Sequence, residues 1–265
     1  MTKVIVKYTH DNSVARVILS DGKGNVLDHI MMEELQSLFN EFKNMPELKL
    51  ITFEGAGKHF SFGASVEEHK KEFAESMLNS FHQLFFSLME LSIPTAALIS
   101  GQCLGGGMEL AIMCNFLFAD TTAKLGQPEI ILGVFPPPAS IILPEKIGLA
   151  RAEELLLTGR TITADEAKSI GLINEVYPDK EAMETAVGAW IEKTIVPKSA
   201  SSLRFGVKAS RIKFNHVLSN FLPQLESLYV KKLMETHDAN EGINSFIEKR
   251  NPIWEHNKII QNENH

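Results

Sequence analysis

The sequence has little cysteine and no long apolar run. Its 265 residues include two cysteines, Cys103 and Cys114, which stand in apolar surroundings and form no C-x-x-C pair. Cysteines placed in this way predict neither a disulfide framework nor a zinc site, and they favour a reduced cytoplasm. No segment approaches the roughly 20 apolar residues of a membrane span, and residues 1–7 lack the apolar core of a signal peptide. We therefore expect a soluble, cytoplasmic protein with no membrane partner and no bound metal.

The chain also lacks an excess of positive charge. Lys and Arg number 26 against 33 Asp and Glu, which gives a net charge of -7 at pH 7. An acidic chain without a lysine-rich stripe is unlike a nonspecific nucleic-acid binder, so we expect no nucleic-acid partner. Hydrophobic residues make up 44% and charged residues 22%, which is ordinary for a globular protein and allows a large core. Any anionic ligand must then be bound by backbone amides and a few cations.

Strand and helix patterns alternate over the first two thirds of the chain. Residues 4–9 and 14–19 are β-rich runs separated by a four-residue turn signal, which predicts a hairpin. Apolar residues at helical spacing follow over 30–43, and the order strand, strand, helix then recurs loosely. This order predicts repeated ββα units in an α/β core. Further strands are predicted at 48–54, 95–99, 116–119 and 172–177, and further helices at about 66–91 and between a capping box at 163–166 and Gly171.

The end of the chain has a different pattern. Beyond Pro178 the apolar spacing is helical and predicts no strand. We therefore divide the chain near Val196 and Pro197 into an α/β core of residues 1–196, which carries the active site, and a helical region of residues 197–265. Helices are predicted there and just before it at 180–194, 199–211, 215–235 and 240–249.

The most informative segment runs from Gly101 to Glu109 and has the pattern of a strand end, a glycine turn and a helix start. Consecutive glycines at 105–107 let another group approach the backbone closely, and free amides at a helix N-terminus attract anions together with the helix dipole. Glu109 follows Gly106 by three residues, which places both on one helix face. The segment can therefore offer an oxyanion donor and an acid/base group together. It matches neither phosphate-binding glycine motif, and glycines that merely allow tight helix packing would produce the same pattern.

A second glutamate, Glu129, lies between Pro128 and an apolar run. It belongs to the stretch 126–140, which is rich in glycine and proline and predicts a rigid loop. An acid in this place has no evident structural purpose. Taken alone, it is most simply explained as a charge on a surface loop.

Six segments, in order along nearly the whole chain, resemble the enoyl-CoA hydratase/isomerase family, the crotonases. The resemblance implies a spiral of ββα turns with a C-terminal helical trimerisation region, assembled as a homotrimer or as a hexamer built from two trimers. It also implies an acyl-CoA thioester as substrate and no separate cofactor, since CoA is part of that substrate. The segments are Phe-Ser-Phe-Gly-Ala-Ser at 60–65, Gly-Gln-Cys-Leu-Gly-Gly-Gly-Met-Glu-Leu-Ala at 101–111, Gly-Gln-Pro-Glu-Ile at 126–130, Leu-Thr-Gly-Arg at 157–160 with Ala-Asp-Glu-Ala at 164–167, Gly-Leu-Ile at 171–173 and Phe-Ile-Glu-Lys-Arg at 246–250.

The resemblance further implies roles for individual residues. The backbone amides of Ala64 and Gly106 match the family's oxyanion hole, where each preorganised donor is typically worth ~3 kcal/mol to a developing enolate. Glu109 and Glu129 match the two glutamates of the family's hydratases. Hydration needs one group to take a proton from water and another to give one to carbon, so we expect Glu109 to activate water and Glu129 to protonate carbon, with the opposite assignment left open. His69 is a further candidate proton relay, although a solvated histidine at a helix start is more common.

The family's CoA contacts match this chain only in part. Phe246 and Lys249 stand at positions where a neighbouring subunit's tail reaches the adenine and phosphate of CoA, although such a pair is also common on ordinary helices. Common hydratases carry a basic residue at the position of Glu67. Lys70 or Lys71 is a candidate to supply the missing charge.

Two stretches differ from the common hydratases, namely 62–69 and 133–140, where prolines replace a glycine-rich turn. They resemble instead the cyclohexa-1,5-diene-1-carbonyl-CoA hydratases of anaerobic aromatic degradation. This resemblance implies hydration of a cyclic dienoyl-CoA, with Phe62, Val66 and Phe135 lining the substrate pocket. Either phenylalanine is equally compatible with a place in the core.

Other activities within the family remain open at this stage. They are straight-chain enoyl-CoA hydration, double-bond isomerisation and hydrolysis. Two glutamates favour hydration over isomerisation, for which one acid/base group can suffice. Some proteins of this fold bind RNA, which the acidic charge of this chain disfavours.

Overall fold

The computed structural model describes residues 2–256, so Met1 of the predicted core and residues 257–265 of the predicted helical region lie outside the described residues. The strands in the described part are β1 (Val4–Thr9), β2 (Val14–Leu19), β3 (Leu50–Gly55), β4 (Thr95–Ile99), β5 (Gln102–Leu104), β6 (Phe116–Asp120), β7 (Lys124–Gly126), β8 (Thr161–Thr163) and β9 (Glu175–Tyr177). The α-helices are α1 (His29–Phe42), α2 (Lys71–Leu91), α3 (Gly106–Met113), α4 (Pro137–Ile147), α5 (Leu149–Thr158), α6 (Ala164–Ser169), α7 (Lys180–Trp190), α8 (Ala200–Ser210), α9 (Ile212–Lys231) and α10 (His237–Ile247). Short 3₁₀ helices lie at Glu67–His69, Pro128–Leu132 and Leu233–Glu235, and α7 continues as a π-helical segment, Ile191–Ile195.

The strands form two sheets. The larger has the order β1-β2-β3-β4-β6-β9, in which β1 and β2 are antiparallel and every later pair is parallel. The smaller contains β5, β7 and β8, and parallel bridges from Ser61 to Cys103 and from Leu27 to Ala64 extend it. The chain therefore repeatedly adds a strand to the large sheet, a strand or bridge to the small sheet, and then a helix. The predicted hairpin and the predicted ββα repeat are confirmed.

Both faces of the large sheet are buried at its central strands, β3 and β4. Side chains of a strand alternate between its faces, so Ile51 and Phe53 of β3 enter the main core. Leu50 faces the other side, where Met183 and Val187 of α7 cover it. Helices on both faces are typical of parallel sheets and leave the loops at the strand ends free to form a site.

The predicted loop over 126–140 was wrong. Residues Pro128–Leu132 form a 3₁₀ helix, and α4 begins at Pro137. Proline has no N–H and a fixed φ, which suits the first turn of a helix, where amides have no intrahelical partner. The short strands β5, β7 and β8 were also missed, because three residues are too few to show the period of a strand.

Helices occupy the end of the chain as predicted, and the described part contains no strand beyond Tyr177. α9 packs against α2 and α4 through Leu218, Leu222 and Tyr229, which lie in the main core. Other large apolar side chains of α8 and α9 remain exposed, among them Phe205 and Ile212. The boundary at residue 196 and the trimerisation role stay predictions. Across residues 2–256, no helix combines the length and apolar character needed to span a bilayer.

Candidate active site

A cavity of about 580 Å³ lies between α2, α3, α9 and the loop before α4, a size typical of small-molecule sites. Its walls are mainly apolar, and the predicted site residues converge on it. Lys249 is exposed and does not line it. The eight predicted residues that do are Phe62, Ala64, Val66, Gly106, Glu109, Glu129, Phe135 and Phe246.

Two backbone amides meet at one side of the cavity. The nitrogen of Ala64 would lie only 3.1 Å from a β-carbon on Gly106, so the two segments are in close contact. Neither the Ala64 nor the Gly106 amide donates to an acceptor within residues 2–256. Gly106 is the first residue of α3, where the amides are free and the helix dipole is positive. The pair is suited to bind an oxyanion.

Gly105 brings the second glutamate to this point. It has a φ of +49°, which favours glycine, and a β-carbon there would lie 2.6 Å from Glu129 Oε1. A glycine is therefore required at this position, because the backbone φ is positive and a β-carbon would clash with Glu129. Glu129 itself lies in the first turn of the 3₁₀ helix and is half-buried, with the cavity in front of it.

Glu109 lies in the first turn of α3 and is buried. Its Oε1 accepts the backbone N–H of Ala139 at 2.9 Å. Pro137 and Pro138 precede Ala139 and have no N–H, so this amide is the first donor of α4. The segment that follows the prolines thus bonds directly to Glu109.

Burial raises the pKa of both carboxyls. For Glu109 burial is the main cause of a pKa well above the ordinary range, the charge of Glu129 adds to it, and the bond from Ala139 opposes it. For Glu129 burial likewise raises the pKa. The amide of buried Gln127, with its nitrogen towards the carboxylate, donates to both Glu129 oxygens at 3.2 and 3.1 Å. Two carboxyls so placed resist ionising together, and both raised pKa values favour the protonated, neutral forms.

The predicted apolar contacts occupy different parts of the wall. Phe62 is exposed at the surface of the cavity and packs edge-on against His59, with ring centroids 4.9 Å apart. Val66 and Phe135 are half-buried. Phe135 packs edge-on against Tyr229 at 5.4 Å. Neither phenylalanine is a fully buried core residue, so both remain available to a ligand.

The CoA contacts implied by the resemblance are only partly assembled. Phe246 lines the cavity of its own chain, and the implied contact with a neighbouring subunit stays a prediction. Lys71 pairs with Glu235 at 2.7 Å, so Lys70 is the candidate for the missing charge that is not engaged in this ion pair. Glu67 is exposed at the cavity wall.

His69 is not the freely solvated residue that the sequence favoured. It is half-buried, lines the cavity and donates its Nδ1–H to the Ser65 carbonyl at 2.7 Å. Burial lowers the pKa of His69, so the neutral ring is favoured. In the part of the chain that the structure describes, no group of three or more His, Cys, Asp or Glu side chains is arranged to hold a metal ion.

Three contributors to the site were not predicted. Ala139 donates one hydrogen bond to Glu109, Gln127 donates to both oxygens of Glu129, and Tyr229 reaches the cavity from α9. Gln127 lies within the segment 126–130 that carries the family resemblance, so the sequence did contain a signal for it. Tyr229 has only the helical spacing of an ordinary core residue.

Comparison with known proteins finds relatives along nearly the whole chain. Residues 9–257 match the family model described as enoyl-CoA hydratase/isomerase. The cyclohexa-1,5-dienecarbonyl-CoA hydratase of Thauera aromatica is 42% identical over 245 residues, which cover 92% of this chain and 94% of that protein. A probable enoyl-CoA hydratase of Mycobacterium bovis is 36% identical over 263 residues, which cover 97% of this chain and 100% of that protein.

Solved structures agree with these matches. The enoyl-CoA hydratase of Bacillus anthracis superposes with a TM-score of 0.75 at 29% identity, over 95% of this chain and 98% of that chain. An enoyl-CoA hydratase from Mycobacterium avium subsp. paratuberculosis superposes with a TM-score of 0.83 over 95% of this chain and 98% of that chain. Its identity is 22%, so this second match supports the fold alone.

Proposed function

The chain belongs to the enoyl-CoA hydratase/isomerase family, and from this premise we propose that it adds water to cyclohexa-1,5-diene-1-carbonyl-CoA. The predicted family and fold are confirmed, and the chain is a hydro-lyase like the hydratases it resembles. The ring substrate rests on one observation, the 42% identity over 92% of the chain to the Thauera aromatica enzyme named for it. CoA enters as part of the substrate, with no separate cofactor.

In this proposal the thioester oxygen lies between the amides of Ala64 and Gly106. Negative charge grows on that oxygen as water attacks the conjugated system, and fixed donors stabilise it without reorganising. Both amides lack an internal acceptor among the described residues, which leaves them free for this bond. The position of Gly106 at the start of α3 adds the favourable end of the helix dipole.

The two glutamates then exchange roles during one turnover. Ionised Glu109 takes a proton from water as the C–O bond forms, and protonated Glu129 gives its proton to carbon. Afterwards Glu109 is neutral and Glu129 is charged. A hydrogen-bond donor stabilises each carboxylate when it is charged. Ala139 donates to Glu109, and Gln127 donates to Glu129. These two proton transfers start from one ionised and one protonated carboxyl, and the raised pKa of Glu129 supports its protonated form.

The acyl ring is proposed to lie against the apolar wall of the same cavity. Pro136 and Pro137 form part of that wall, and Phe62, Val66 and Phe135 complete it. Proline and aromatic side chains give a stiff surface without hydrogen-bond donors, which suits a flat hydrocarbon ring. We further propose a homotrimer or a hexamer of two trimers, in which Phe246 and Lys249 bind CoA.

A straight-chain enoyl-CoA hydratase is the second candidate. The relative from Mycobacterium bovis favours it, since its name carries the general activity and the match covers 97% of this chain. The cavity of about 580 Å³ does not exclude a short linear acyl group. An apolar pocket discriminates by only ~1–3 kcal/mol per methylene, so a preference between the two substrates is expected rather than absolute rejection.

Labelled water tests the proposed reaction directly. The protein is incubated with the cyclic dienoyl-CoA in isotopically labelled water, and the CoA product is analysed by mass spectrometry. We expect one labelled oxygen in a hydroxylated acyl group, with the thioester intact. Recovery of free CoA, or of an isomer without labelled oxygen, contradicts hydration.

A further inference from the structure

Tyr229 is a buried polar residue at the catalytic cavity that the acid/base scheme does not use. It lies on α9, lines the cavity and is 1% exposed. Within residues 2–256 its hydroxyl has no hydrogen-bond partner. A buried hydroxyl without a partner loses its bonds to water and gains nothing, and phenylalanine would fill the same space without that loss.

The surroundings hold this ring in one place. Phe135 packs edge-on against it with ring centroids 5.4 Å apart. One turn earlier on α9, Glu226 accepts a hydrogen bond from His82 Nδ1 at 2.7 Å, which joins α9 to α2. His82 is 1% exposed and Glu226 is half-buried, so this hydrogen bond is largely shielded from solvent. The phenol therefore has little freedom to turn away and find another partner.

Both catalytic carboxyls are within electrostatic range of the phenol. Burial raises the pKa of Tyr229, and the charges of Glu129 and Glu109 raise it further. The hydroxyl therefore keeps its proton at every working pH and can both donate and accept one hydrogen bond.

The chemistry of the proposed substrate limits the possible partners of this hydroxyl. The ring is a hydrocarbon and offers no polar atom. The thioester oxygen already has the amides of Ala64 and Gly106 in the proposed reaction. The remaining polar species at the two carboxyls is the water that is added.

We propose that the Tyr229 hydroxyl hydrogen-bonds the attacking water beside Glu109 and Glu129 and, after addition, the new hydroxyl group of the product. The inference rests on the proposed hydration. Water loses one proton to Glu109, its oxygen bonds to carbon, and carbon receives the proton of Glu129. Tyr229 keeps its own proton throughout and orients the water oxygen towards the substrate.

The test compares Tyr229→Phe with Tyr177→Phe in the full-length protein. Tyr177 lies on β9, is half-buried and does not line the cavity, so it controls for the loss of a phenolic oxygen. We expect Tyr229→Phe to lower kcat by about tenfold or more and to change KM by less than about threefold, because the water is positioned after the acyl-CoA binds. Its Tm should equal or exceed that of the wild type, since an unpartnered hydroxyl is removed. Tyr177→Phe should retain wild-type kcat and KM.

Product binding gives a second measurement. Tyr229→Phe should weaken inhibition by the hydroxylated product and leave the affinity for a saturated acyl-CoA unchanged. A kcat/KM within about twofold of wild type overturns the role of Tyr229 alone, and so does a loss of kcat that accompanies a lower Tm, since the hydroxyl is then structural. A wild-type protein that hydrates neither cyclic nor linear enoyl-CoA overturns the proposed function and this role with it.

Discussion

Ala139 donates its backbone N–H to Glu109 Oε1 at 2.9 Å, and it is the first residue of α4 that has an N–H to donate. Pro137 and Pro138 fill the two preceding positions and have none. The N-terminus of α4 thus directs one amide, with the helix dipole behind it, at this carboxyl. The prolines that the sequence analysis interpreted as a loop therefore help to set the charge state of Glu109.

The proposed proton transfers predict the kinetics of two conservative variants. Glu109→Gln and Glu129→Gln should each lower kcat by roughly 100- to 10,000-fold, because each removes one proton transfer but little volume. KM for the acyl-CoA should change little. Steady-state kinetics with the cyclic dienoyl-CoA measures both. Glu75→Gln, an exposed position on α2, is the matched control. Near wild-type turnover in either active-site variant would remove that glutamate from the proposed pair.

The same carboxyls should make stability depend on pH. The pKa of Glu129 is raised in the folded protein above its ordinary value of 4.5, so the folded state binds this proton more tightly than the unfolded state. That contribution is fully present below the unfolded pKa and is lost as the pH rises through the folded pKa. Glu129→Gln imitates the protonated form, so it should raise Tm relative to wild type at about pH 8 and give nearly the same Tm at about pH 4. Thermal unfolding at both pH values measures this, and a difference that does not change with pH contradicts the raised pKa.

Lys249 is predicted to bind a phosphate of CoA. An exposed ion pair is worth about 0.2–1 kcal/mol, so Lys249→Ala should raise KM by about fivefold at most and leave kcat nearly unchanged. The change in KM is measured by steady-state kinetics at low ionic strength, because salt screens the contact between Lys249 and the phosphate. Lys193→Ala, at another exposed position, is the control. An unchanged KM would remove Lys249 from the site, and a fully active monomer in solution would exclude the contact between subunits.

Much of the site was predictable because it rests on short, local features. The turn at residue 105 has a positive φ and leaves room for Glu129 Oε1 only if there is no β-carbon. The geometry of the turn therefore requires a glycine, which is visible in the sequence. The free amide of Gly106 and the position of Glu109 follow from the start of one helix. These features lie within nine consecutive residues, which belong to one of the six segments that resemble the family.

The site residues that the sequence did not predict depend on tertiary packing. Tyr229 lies one hundred residues after Glu129 in the chain, and only the packing of α9 against α2 and α4 brings the two together. The donor role of Ala139 depends on where α4 begins, which two prolines made hard to locate from sequence. Helical spacing predicts that such residues are buried, but it does not predict which cavity they face.

The central claim is that a cyclic dienoyl-CoA is the preferred substrate. Its most direct test is the ratio of kcat/KM for cyclohexa-1,5-diene-1-carbonyl-CoA to kcat/KM for crotonyl-CoA, measured with the same wild-type preparation. The stiff apolar wall predicts a ratio above one, with slower but detectable hydration of crotonyl-CoA. A higher kcat/KM for crotonyl-CoA would contradict the ring substrate and leave the general hydratase.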